Sequence, residues 1–183
     1  KALIYLEREA VDEIKKAEKI YTILLKSNPG NYAVNANLFI SEVRICVQSS
    51  GKERKKYYIL AKESLLEIKQ RFNLEKIDSL LIYANALYLF EEMGEYGELW
   101  KICEEMPYKF WMDISCARYI ISAYIQSNSF EKAYKLVNSL QSYYGMTDEL
   151  KKLKRQIEDK KIPEMKEPAG VQYESNNVMV IIE

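Results

Sequence analysis

The chain contains no histidine. That removes the commonest general base and the commonest metal ligand together. Its three cysteines, Cys46, Cys103 and Cys116, are odd in number, and no two stand at CxxC spacing. A disulfide framework or a zinc site is therefore not expected, and a reducing, cytoplasmic interior is. Glycine (6) and proline (4) are scarce, which argues against a disordered or turn-rich all-β chain. Charge of one sign is not in excess, with 27 Lys and Arg against 27 Asp and Glu. A dedicated nucleic-acid binder needs a basic surplus to neutralise phosphates, so that class is disfavoured. The most apolar charge-free run, Ser79–Phe90, is twelve residues long, whereas a membrane span needs roughly 20. No Walker-type loop or GxGxxG occurs, and no secretory signal is visible from Lys1 onward, though one could precede it. The chain starts at Lys1, not Met, and is expected to be a piece of a longer protein.

What is present is helical spacing almost throughout. Ala17, Ile20, Tyr21, Leu24 and Leu25 recur at steps of three and four, on one helix face. Tyr83, Ala86, Leu87 and Phe90 do the same, as do Ala133, Leu136, Val137 and Leu140. The fifteen tyrosines suit helix–helix packing, since large amphipathic rings fill such interfaces. Breaks fall at Asn28-Pro29-Gly30-Asn31, Ser50-Gly51, Met93-Gly94 and Tyr144-Gly145, where proline stops a helix and glycine caps one. Asn73, Asn128 and Thr147 are candidate N-caps. The spacing predicts helices over 2–27, 31–49, 53–72, 74–93, 95–106, 109–127, 129–143 and 147–160. The first is either one long helix or two. Connections this short make successive helices antiparallel neighbours.

The end of the chain has a different composition. Lys161–Gly170, with two prolines and several charges, is expected to be a linker. Val178–Ile182 is apolar and rich in β-branched residues, and is expected to be extended or strand-like. A lone strand needs a partner. A neighbouring domain, self-association through Val178–Ile182, the helical body and docking in its groove all remain open.

A period exists. Gly94, Tyr96, Leu99, Ile102 and Cys103 align with Asn128, Phe130, Ala133, Leu136 and Val137 at an offset of 34. Upstream, Tyr83, Ala86, Leu87 and Phe90 align with Ala117, Ile120, Ile121 and Tyr124 at the same offset. With Phe130-Glu-Lys-Ala133 preceded by Tyr124 and Asn128, and with Ala17, Tyr21, Leu24 and Pro29 earlier, the chain resembles the tetratricopeptide repeat family over about residues 10–145. Ala17, Ala61, Leu99 and Ala133 occupy the position where that pattern has its second-helix alanine. Leu87 and Ile121 depart from it, since a small residue belongs there. The closing proline is missing from the last two repeats, and Pro107 falls early, which shortens one second helix.

The resemblance implies an all-α fold: a right-handed superhelical array of antiparallel helix pairs over residues 1–160, with linker and tail over 161–183. It also implies a non-catalytic module that holds a protein or peptide on a concave face lined by first helices. The face positions are Asn37, Ile40 and Arg44; Asn85, Tyr88 and Glu92; and Arg118, Ser122 and Gln126. Asn can bond a peptide backbone in both senses, and Arg can grip a carboxylate. Asn85 with Arg118 resembles part of the set with which some members clamp a C-terminal carboxylate, but the set is incomplete and that ligand is not expected. A ligand-sensing regulatory domain of a larger enzyme or transcription regulator is the alternative. The segments around Tyr119–Tyr124 and Phe130–Leu136 are also similar to pentatricopeptide repeats, which bind single-stranded RNA. There the base-reading positions are Asn85, which suits, and Tyr119, which does not.

No cofactor or metal is expected. Glu91-Glu92 and Glu104-Glu105 are adjacent and splay about 100° apart on a helix. Cys103 and Cys116 have no histidine to activate them. Lys151-Lys-Leu-Lys-Arg155 lies among acids and fits a solvated capping helix.

Overall fold

The computed structural model describes residues 10–161, and the expectations for residues 1–9 and for the linker and tail lie outside them. The described residues are all helical in their regular structure. Eight α-helices run in order: α1 Val11–Ser27, α2 Tyr32–Gln48, α3 Gly51–Arg71, α4 Leu80–Glu92, α5 Tyr96–Glu105, α6 Ile114–Gln126, α7 Phe130–Tyr144 and α8 Asp148–Lys161. A 3-10 turn, Tyr108–Met112, precedes α6. Among the described residues no helix is long and apolar enough to cross a membrane.

The helix starts follow from local hydrogen bonding. The Asn31 side chain accepts from Val34 N–H at 3.1 Å and caps α2, and Asn35 Nδ2 reaches back to the carbonyls of Pro29 and Asn31. Thr147 Oγ1 accepts from Leu150 N–H and starts α8, as its sequence suggests. The other two expected caps act differently. Asn73 accepts from Glu75 N–H in a turn, and α4 begins only at Leu80. Side-chain bonds hold the intervening loop: buried Ser79 donates to the Leu74 carbonyl at 2.6 Å, and Asp78 accepts from Leu80 N–H. Asn, Asp and Ser compete in this way with helical backbone bonds. Likewise Asp113 Oδ1 takes the Ser115 N–H and starts α6, so the expected helix from 109 begins instead as a 3-10 turn. Asn128 ends α6, with φ +56°, rather than starting α7.

The 34-residue offset is physical. Helices α4 and α6 start and end 34 residues apart, and α5 and α7 start 34 apart. The turn closing each first helix has the same bonds. Gly94 N–H reaches Glu91 O and Glu95 N–H reaches Phe90 O; Asn128 N–H reaches Ile125 O and Ser129 N–H reaches Tyr124 O. This is a Schellman cap, which requires a left-handed residue, supplied by Gly94 at φ +70° and by Asn128. Ala17, Ala61, Leu99 and Ala133 are all wholly buried. So are Leu87 and Ile121, whose bulk is accommodated in the core.

Packing follows two rules. Helices adjacent in sequence pack on each other, with α1 on α2, α2 on α3, α4 on α5, α6 on α7 and α7 on α8. Alternate helices also touch: α2 packs on α4, α4 on α6 and α6 on α8. The even-numbered helices therefore form a continuous row. One core runs from Ile14 to Ala123, and a second, around Ile121, Val137, Leu140, Leu150 and Ile157, seats α8.

Candidate functional site

The row of even helices leaves a groove of about 820 Å³ over α4, α6 and α8. Its floor is α6, presenting Arg118, Tyr119, Ser122, Ile125 and Gln126. One wall is the end of α4, with Tyr88, Glu91 and Glu92. The opposite wall is α8, from Asp148 and Glu149 to Asp159 and Lys160.

Five of the nine face positions expected from sequence line this groove: Tyr88, Glu92, Arg118, Ser122 and Gln126. Four do not. Asn85 donates to the Leu81 carbonyl of its own helix at 2.8 Å. Asn37 lies on α2, half-buried, with its carbonyl accepting from Ser41. Ile40 is 7% exposed and belongs to the core, so its expected place on an open face is corrected. It follows Phe39 and precedes buried Val43, and α2 packs on three helices at once, which leaves little free face. Arg44 is half-buried on α2 and acts electrostatically on Tyr88 without lining the groove.

The floor is already organised. The Arg118 guanidinium lies 4.4 Å over the ring of its neighbour Tyr119 and donates to the Tyr119 hydroxyl. Tyr119 in turn packs on Tyr88, ring centres 5.9 Å apart. Burial pushes the phenols of Tyr88 and Tyr119 up from their ordinary range, with the Arg118 cation opposing the shift in both. Burial also raises Glu91, while the Ser122 hydroxyl that it accepts from opposes this. Glu92 is at the groove edge, its carbonyl accepting from Arg54 at 2.6 Å and its carboxylate 4.0 Å from the same guanidinium. Glu91 and Glu92 thus splay as adjacent helical residues must.

The chain matches no family model, no curated protein and no solved structure. The groove must therefore be interpreted from its own chemistry.

Sequence reasoning missed the α8 wall, which it assigned to a solvated cap. A signal for it existed. Helix α8 starts at Asp148, a further 34 residues beyond the start of α6 at Ile114. One more step of the period thus places it as the next member of the same row. Its apolar stripe of Leu150, Leu153 and Ile157 is buried, while its charged residues face solvent and the groove.

The other candidates stay apart from the groove. Cys46, Cys103 and Cys116 are buried free thiols, and burial pushes the last two up to about 12. Among the described residues no three His, Cys, Asp or Glu side chains converge as a metal site would need. One buried acid went unnoticed in sequence. Glu42, on α2, is 4% exposed, and burial among Glu18, Glu63 and Glu67 pushes it up to about 8.

Proposed function

We propose that the chain is a non-catalytic protein-binding module, built as a tetratricopeptide-like right-handed array, that holds a peptide segment of a partner in the groove over α4, α6 and α8. The observation that carries this is the convergence of Tyr88, Glu92, Arg118, Ser122 and Gln126, picked by repeat position, on one open groove. Side chains from three successive row helices meet there, and each offers a donor or acceptor to a chain lying across them. A small-molecule site would be more enclosed and more apolar, which favours the peptide over the ligand-sensing alternative. The carboxylates on both walls would repel phosphates, which weighs against RNA. An intracellular setting belongs to this reading, and three unpaired buried thiols suit it.

The test is panning a random-peptide display library on the full chain and on Ser122→Trp, which places a large side chain on the groove floor. Peptides that bind the parent chain and lose binding to Ser122→Trp and to Gln126→Trp support the groove. Circular dichroism should be unchanged in both variants, and melting temperature unchanged in Gln126→Trp, whose position is exposed. Peptides that bind all three chains equally would show that the partner surface lies elsewhere.

A further inference from the structure

We propose that the segment held in the groove is basic, presenting Lys or Arg side chains to both walls. This rests on the peptide-binding reading above and adds the partner's chemistry. The whole chain is charge-balanced, yet five carboxylates line the groove against three cations. The carboxylates stand on both sides, Glu91 and Glu92 on α4 and Asp148, Glu149 and Asp159 on α8. Glu92 lies 4.0 Å from Arg54 and Asp148 2.9 Å from Lys151, solvent-accessible pairs of small net worth that a bound cation can exchange. The cation on the floor, Arg118, is already engaged over Tyr119 and bonded to its hydroxyl, so an incoming carboxylate would compete with an existing partner. The other two, Lys152 and Lys160, are exposed on α8 with long flexible stems that can swing to solvent. Glu91 is partly buried beside Ser122, and a cation brought next to it would favour its charged form.

Charge also separates this occupant from the chain's own end. Residues 162–183 contain four carboxylates and a single lysine. Like charges across a contact disfavour association, so the tail is a poorer occupant than a basic partner.

The display selection decides the matter on the full chain. The expected result is that peptides sensitive to Ser122→Trp carry a clear excess of Lys and Arg. A labelled member of that set should bind roughly tenfold more weakly to the double variant Glu92→Gln, Asp159→Lys. Both positions lie at helix C-terminal ends, where losing a carboxylate or gaining a cation suits the helix dipole. The same peptide should weaken as salt rises from about 50 to about 500 mM. Groove-dependent peptides that are neutral or acidic overturn the basic-partner inference and leave the peptide-binding reading standing. Basic peptides insensitive to Ser122→Trp overturn the inference too, since their binding is then not to this site. Failure to recover any groove-dependent peptide overturns both.

Discussion

Glu42 shows how much one residue can differ from its apparent place in a sequence. It lies among apolar neighbours on α2, 4% exposed, with its Oε2 lacking any hydrogen-bond partner. Burial is the main reason that its pKa rises from 4.5 to about 8, and Glu18, Glu63 and Glu67 add to it; a bond from Ser64 opposes the rise. Glu18 is raised too, with Lys56 and Lys19 opposing. The folded form thus holds a proton that the unfolded chain has released between pH 4.5 and about 8. The contribution to stability is intact below the lower value and falls as pH rises toward the upper one. A single such proton gives a slope of up to about 1.4 kcal/mol per pH unit. The absence of histidine leaves this window free of imidazole titration. Glu42→Gln should therefore flatten the decline and exceed the parent in stability at pH 8, with little difference near pH 4.5. Urea unfolding across that range checks it, and a parent chain whose stability rises from pH 5 to 8 would refute this account of Glu42.

At the scale of the element, the repeat is defined by its turns as much as by its helices. Gly94 and Asn128 hold the same left-handed cap 34 residues apart, with the same pair of backbone bonds. Nothing lies within 4 Å of a Cβ placed on Gly94, so a substitution there meets only the backbone penalty. Gly94→Ala should cost about 1 kcal/mol, and Asn128→Gly should be neutral or stabilising by a few tenths. Denaturant midpoints with an unchanged slope would report both. A Gly94→Ala chain as stable as the parent, or an Asn128→Gly chain clearly less stable, would show that the caps are not equivalent.

For the molecule as a whole, α8 joins stability to the groove. Leu150 and Ile157 are wholly buried in the second core with Ile121, Val137 and Leu140. The other side of the same helix forms one groove wall. Leu150→Ala should destabilise by about 2–5 kcal/mol and weaken capture of groove-dependent peptides with it, because the wall loses its seat. Equilibrium unfolding together with peptide titration measures the two effects. Unchanged binding by a chain destabilised in this way would mean that α8 does not contribute a wall.

The sequence by itself determined which segments are helical, where most of them end, and the 34-residue step, because these depend on spacing and on residues within one turn. Ala17, Ala61, Leu99 and Ala133 were identifiable as one repeat position for the same reason, and all four are buried, since a repeat position carries its environment with it. The loop over Asn73–Ser79 escaped that logic, since its side chains bond locally in place of helical turns. Only the tertiary structure decided what each exposed-looking position faces. Ile40 is covered because α2 packs on three helices, Asn85 donates to the Leu81 carbonyl one turn back, and α8 returns to complete a groove. Exposure is set by residues distant in sequence, and no local pattern carries it. The five groove residues were legible because the period continues through them, and the acidic surplus of the groove became visible only when α4 and α8 stood on either side of α6.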